Sequence, residues 1–192
     1  MKTLKNTIKA ATSVAKLLLL AAALLVASCG EELTQNKWSR MRAYYLCDHV
    51  MDIPTLYHAC TGPDQWCTIR LSLNGKQLLF ESLIESDTEN LTANVGYTRF
   101  HIERGLIIGL PSLAEPLADA PVVTCYDIAC PNCLDDAISK NLTIQENGKA
   151  KCSRCNRTYD LSNQGIVSEG ERGKTLERYR VNYNGNTLIV DN

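Results

Sequence analysis

Two cysteine pairs carry the clearest chemistry in this chain. Cys130-Pro131-Asn132-Cys133 and Cys152-Ser153-Arg154-Cys155 are separated by 18 residues. Two residues between thiolates let one tight turn aim both sulfurs at one ion, with the turn N–H groups left to hydrogen-bond them. Two such pairs at a separation of about 15–20 residues form the pattern of a four-cysteine metal site. Asn147-Gly148 predicts the hairpin that carries the second pair. The donor set suits Zn²⁺ or a single rubredoxin-like iron, and a [2Fe–2S] cluster can also take four cysteines. Lys149, Lys151, Arg154 and Arg157 crowd the second turn and can offset the negative charge of the thiolates. The competing use of these cysteines is two disulfides, although a bond within C-x-x-C is short-range and mostly found in redox proteins.

Of the nine cysteines, Cys29 has a different setting. Residues 1–16 hold four lysines and no acid, Leu17 to Val26 is an unbroken apolar run, and Ala27-Ser28-Cys29 follows. A positive start, a short apolar centre and a small-residue exit predict a secretory signal, too short to span a bilayer as a helix. The exit resembles a lipobox, which implies acylation of Cys29 and cleavage before it. Residues 1–28 are then a signal peptide, 29–37 a lipid-anchored tether and 38–192 the folded domain. The expected location is the cell envelope, as an outer-membrane lipoprotein held to the membrane by its lipid. Signal removal takes away four of 20 basic residues and none of 21 acidic ones, so the formal charge falls from −1 to −5. That balance and the compartment exclude nucleic acid as a partner. Residues 1–28 contain no arginine, so a twin-arginine export route is not expected and the metal must be acquired outside. Zinc is therefore the first choice, then single iron, then [2Fe–2S].

Cys47, Cys60, Cys67 and Cys125 remain. In an oxidising compartment spare cysteines predict disulfides, and four of them allow three pairings. Cys60 and Cys67 bracket the turn-forming Gly62-Pro63-Asp64, so they are expected to bond to each other, or one of them to Cys47.

The elements that must position these groups read as strands. Cys67 to Leu73 alternates, Asn74-Gly75 follows, and Lys76 to Phe80 continues, a hairpin signal. Phe100 to Ile102, Leu106 to Leu110 and Val122 to Tyr126 are short apolar runs. Two more hairpins are predicted at Asn147-Gly148 and Asn184-Gly185, and residues 85–94 read as a polar loop. No long amphipathic helix is expected. Many short strands with frequent turns predict an all-β domain, a sandwich or small barrel.

The two cysteine pairs, Tyr159-Asp160-Leu161, Gly165, Gly170, Leu176, Tyr179, Val181 and Leu188-Ile189-Val190 together resemble a Rieske domain. The likeness covers roughly residues 95–192 and extends to the small Rieske-type lipoproteins of the Bacteroides group. It implies stacked small antiparallel sheets with a rubredoxin- or zinc-ribbon-like metal-binding subdomain at about 125–160, and electron transfer through a [2Fe–2S] cluster on two Cys and two His. Here Asn132 and Cys155 stand where that family has its histidines. The three histidines, His49, His58 and His101, lie far from both turns in sequence. The ligand set is thus all cysteine: Cys130, Cys133, Cys152 and Cys155. His49 and His58, with Asp48, Asp52 and Cys60 nearby, are a lesser candidate for a second metal site. No nucleophile triad, phosphate loop or paired-carboxylate motif stands out. The expected function is a membrane-tethered, metal-stabilised module for binding or assembly at the envelope. The rival is an electron carrier.

Overall fold

The computed structural model describes residues 38–39, 41–91, 100–102, 104–116 and 118–192. Cys29 and the expected signal peptide, residues 1–28, lie outside the described residues. Trp38–Asn192 forms one compact unit. The domain is all-β, with thirteen short strands among the described residues, one eight-residue helix and single helical turns.

The strands are β1 (Tyr44–Cys47), β2 (Trp66–Leu71), β3 (Gln77–Glu81), β4 (Ser86–Asn90), β5 (Phe100–His101), β6 (Leu106–Gly109), β7 (Thr124–Asp127), β8 (Thr143–Gln145), β9 (Lys149–Lys151), β10 (Thr158–Asp160), β11 (Ile166–Glu169), β12 (Arg178–Tyr183) and β13 (Leu188–Asp191). Nine form one continuous sheet in the order β4-β3-β2-β6-β7-β12-β13-β1-β5, and the other four form a sheet in the order β11-β10-β9-β8. Every pairing is antiparallel. Strand β12 serves both halves of the long sheet: Arg178 and Tyr179 pair with β7, whereas Arg180 to Tyr183 pair with β13.

Three layers result, because the middle strands are buried on both faces. Leu106 to Gly109 is buried at every position, the pattern of a strand covered on both sides. Cys67, Ile108 and Cys125 face one core, which β1, β13 and the helix cover with Tyr45, Val190 and Leu56. Trp66, Ile107 and Tyr126 face the opposite way into a second core, closed by Ile144, Ala150 and Leu161 of the four-stranded layer. The Tyr126 hydroxyl donates to the Leu161 carbonyl at 2.9 Å and ties the two layers together.

Two elements differ from the sequence expectation. Helix α1 (Pro54–Thr61) forms within a domain expected to be all-β. Pro54 opens it with a pre-set φ, and its cap comes from far away: Asp87 accepts from the Thr55 N–H at 2.8 Å and the Thr55 hydroxyl at 2.7 Å. The polar stretch at 85–94, expected as a loop, contains edge strand β4, paired to β3 from Ser86 to Asn90. Its side chains supply the Asp87 cap and the Glu89 carboxylate that faces His49, so tertiary contacts outweigh its low strand propensity.

Candidate metal centre

The metal-bearing layer is inserted between β7 and β12. Chain leaving β7 reaches Cys130, whose N–H donates to the Lys140 carbonyl at 2.8 Å. Pro131 then starts a single helical turn, α2 (Pro131–Leu134), and the Cys133 N–H closes the turn on the Cys130 carbonyl at 3.2 Å. The second pair lies in the loop between β9 and β10. Asn156 takes a left-handed φ of 57°, and its N–H reaches the Cys152 carbonyl at 3.0 Å. Left-handed backbone is tolerated by Asn better than by most side chains. In the β8–β9 hairpin that leads into this loop, Asn147 and Gly148 both have positive φ, as the Asn-Gly signal predicts.

These turns bring all four sulfurs within 4.8 Å of one another. Cys130 and Cys155 Sγ are 3.6 Å apart, as are Cys133 and Cys152 Sγ. An S–S bond is about 2.05 Å long, so these are separate thiols. Sulfurs held tetrahedrally at about 2.3 Å from one ion lie about 3.8 Å apart. The donor set and its spacing fit a single metal ion, and the layer is zinc-ribbon-like. Cys130, Cys133 and Cys152 are buried, whereas Cys155 is half-buried and marks the side of the centre nearest solvent.

No family model, curated protein or solved structure matches the chain. Chemistry at the centre is therefore read from its own neighbours. Burial pushes the Cys155 thiol up, but the Arg157 N–H and guanidinium, together with neighbouring thiols, outweigh it and bring the thiol down to about 7. Burial also raises the Cys130 thiol, against the Tyr159 hydroxyl, which lies 3.1 Å from its sulfur. Cys133 is pushed up by burial and then by the adjacent thiols. A bound cation reverses that last effect, because thiolates repel each other but not the ion between them.

Of the four cations expected to offset the thiolates, Arg157 does so directly. Lys149 is engaged by Asp160 at 2.5 Å and Arg154 faces Asp136 at 3.8 Å. Lys151 is exposed. Sequence reasoning did not foresee the segment Glu171 to Lys174 as part of the site. It straps both turns: Arg157 NH2 meets Glu171 Oε2 at 2.9 Å, Lys174 Nζ meets Asp135 Oδ1 at 2.6 Å, and Asn132 bonds the Lys174 main chain. Gly173 is needed there because an added Cβ would stand 2.2 Å from Asn132 Oδ1.

The other candidates do not join the centre. Cys47, Cys60, Cys67 and Cys125 are buried, unbridged thiols of the first core, where disulfides were expected. Burial pushes Cys60 up to about 12 and raises the other three. His49 faces Asp48 and Glu89, while His58 faces Glu85, so the two histidines have separate carboxylate partners.

Proposed function

We propose that this chain is a lipid-anchored envelope protein whose Rieske-like domain holds one zinc ion as a structural cross-link and presents a module for binding or assembly. The observation that carries it is the convergence of four sulfurs from two turns, one before β8 and one after β9, within 4.8 Å of one another. Bound there, an ion supplies the tie between the turns. The chain's own residues do the rest: Pro131 and Asn156 shape the turns, and Arg157 steadies the most exposed sulfur. Two features support the Rieske-like reading, the insertion of a metal-bearing four-stranded sheet between neighbouring strands β7 and β12 and the stacking of three antiparallel layers. The lipid anchor rests on the sequence around Cys29, and the partner at the envelope is a second protein of unassigned identity.

Zinc is favoured over a [2Fe–2S] cluster because two irons and their sulfides would need the ligand pairs farther apart than these sulfurs lie. A single iron used for electron transfer is the second reading. The half-buried Cys155 favours it, since it brings one sulfur toward a docking partner. Elemental analysis and a visible spectrum of protein purified from the envelope separate the readings. We expect about one zinc per chain and no colour. One iron per chain with a visible band would establish the electron carrier instead, and two irons with acid-labile sulfide would overturn both.

A further inference from the structure

Asn132 stands between the two ligands of the first turn, and all of its polar directions are used. Its Oδ1 accepts from the Lys174 N–H at 2.9 Å. A main-chain N–H can only donate, so this contact fixes which end of the amide is oxygen. The Nδ2 end therefore faces the Lys174 carbonyl at 3.0 Å and the Tyr159 hydroxyl at 2.8 Å, and it donates to both. Tyr159, buried, accepts that bond and retains one proton to give. Its neighbour in the other direction is Cys130 Sγ at 3.1 Å. The polarity of the whole chain follows: Asn132 to Tyr159, Tyr159 to Cys130.

We infer that Asn132 is a positioning residue for the metal centre. It orients the Tyr159 hydroxyl so that its proton points at the Cys130 sulfur, and it fastens the strap through the Lys174 main chain. This rests on the metal-centre reading. A donor aimed at a ligating sulfur holds that ligand in place from outside the metal shell. Groups that hold a ligand from behind typically change metal affinity 10- to 100-fold when removed. Asn132 touches no sulfur on its own account, so its effect passes through Tyr159. A general loosening of the strap would act differently and would not need the hydroxyl.

The substitutions that separate these routes are Asn132→Asp and Tyr159→Phe, singly and together. Asn132→Asp keeps an oxygen to accept from the Lys174 N–H, but it can donate neither to the Lys174 carbonyl nor to Tyr159, and it competes with Cys130 for the tyrosine proton; Tyr159→Phe removes the hydroxyl and leaves the strap bonds of Asn132 in place. Zinc affinity is measured on the purified chain by competition with a chromogenic chelator, and the sulfur-to-metal charge-transfer band is recorded with Co²⁺. Wild type should bind one ion. Asn132→Asp and Tyr159→Phe should each bind roughly 10- to 100-fold more weakly, with the cobalt band moved to longer wavelength because the sulfur lone pairs lose a stabilising donor. The double variant should be little worse than Tyr159→Phe alone, because both act on one sulfur. Asn132→Asp binding within twofold of wild type with an unmoved band, or losses that add in full, would overturn the relay. A wild type that takes up neither Zn²⁺ nor Co²⁺ would overturn the metal reading and the relay with it. Should Asn132→Asp fail to fold, Tyr159→Phe alone still tests the bond to Cys130, and an unchanged band there overturns the proposal.

Discussion

The domain contains two groups of four cysteines, and they live in opposite surroundings. Cys47, Cys60, Cys67 and Cys125 lie in the first core among Leu, Ile, Phe and Tyr side chains. Cys130, Cys133, Cys152 and Cys155 lie in the four-stranded layer, within reach of the Tyr159 hydroxyl and the Arg157 guanidinium. In the first group burial is the largest influence on every thiol and drives each toward the neutral form. In the second, burial also raises Cys130 and Cys133, but hydrogen bonds from Arg157 and neighbouring thiols bring Cys155 down to about 7. One residue type thus packs as a small hydrophobe in one place and stands in the geometry of a metal-ligand set in the other. The difference lies in donors and in sulfur-to-sulfur geometry, not in how deeply the residues sit.

The contrast predicts unequal penalties. Cys152→Ser should abolish metal binding and unfold the four-stranded layer at temperatures where wild type is intact, because structural zinc contributes on the order of 10 kcal/mol to folding. Circular dichroism melts with metal analysis check this; a variant that melts with wild type would dissolve the distinction. In the first core the penalties should be graded by polarity. Cys67→Ala should cost about 1 kcal/mol, the loss of one small apolar group, and Cys67→Ser about 1–3 kcal/mol, since a hydroxyl would be buried there without a partner. Neither should change metal content. Urea denaturation gives both values, and a zinc loss in Cys67→Ala would show the groups to be coupled.

A smaller effect belongs to the seam between the regions. Asp127 ends β7 just before the first cysteine turn, accepting from the Ala129 N–H at 2.7 Å and from the Tyr179 hydroxyl at 2.8 Å. Burial raises its carboxyl above the ordinary value, with both hydrogen bonds opposing. The folded chain thus holds this proton more tightly than the unfolded one. The associated stability is complete below the unfolded value of about 3.9 and is lost as pH rises through the folded value. Asp127→Asn keeps an acceptor for the Ala129 N–H and does not titrate. Wild-type stability should therefore decline relative to Asp127→Asn as pH rises from about 4 toward neutral. Parallel denaturation curves across that range would contradict the assignment.

Much of the centre is legible in sequence because its ligands are local: two residues separate each pair, and Asn147-Gly148 marks the hairpin between them. The hairpins at Asn74-Gly75 and Asn184-Gly185 are legible for the same reason. What escapes is non-local. Helix α1 lacks a cap of its own and takes one from Asp87, 32 residues onward. Strand β4 is polar and exists because β3 offers it a ladder. Tyr159 lies 29 residues from Cys130, and Lys174 lies 42 from Asn132, so neither contact leaves a spacing signal. The core cysteines were open to three pairings because adjacency in sequence, as in Cys60 and Cys67, does not encode which way each side chain points.

X-ray absorption at the metal edge of the purified protein tests most directly whether one group of cysteines holds an ion while the other does not. It should show one zinc surrounded by four sulfurs at about 2.3 Å, with no nitrogen, oxygen or second metal in the shell. A shell with fewer than four sulfurs, or an iron–iron distance, would contradict it.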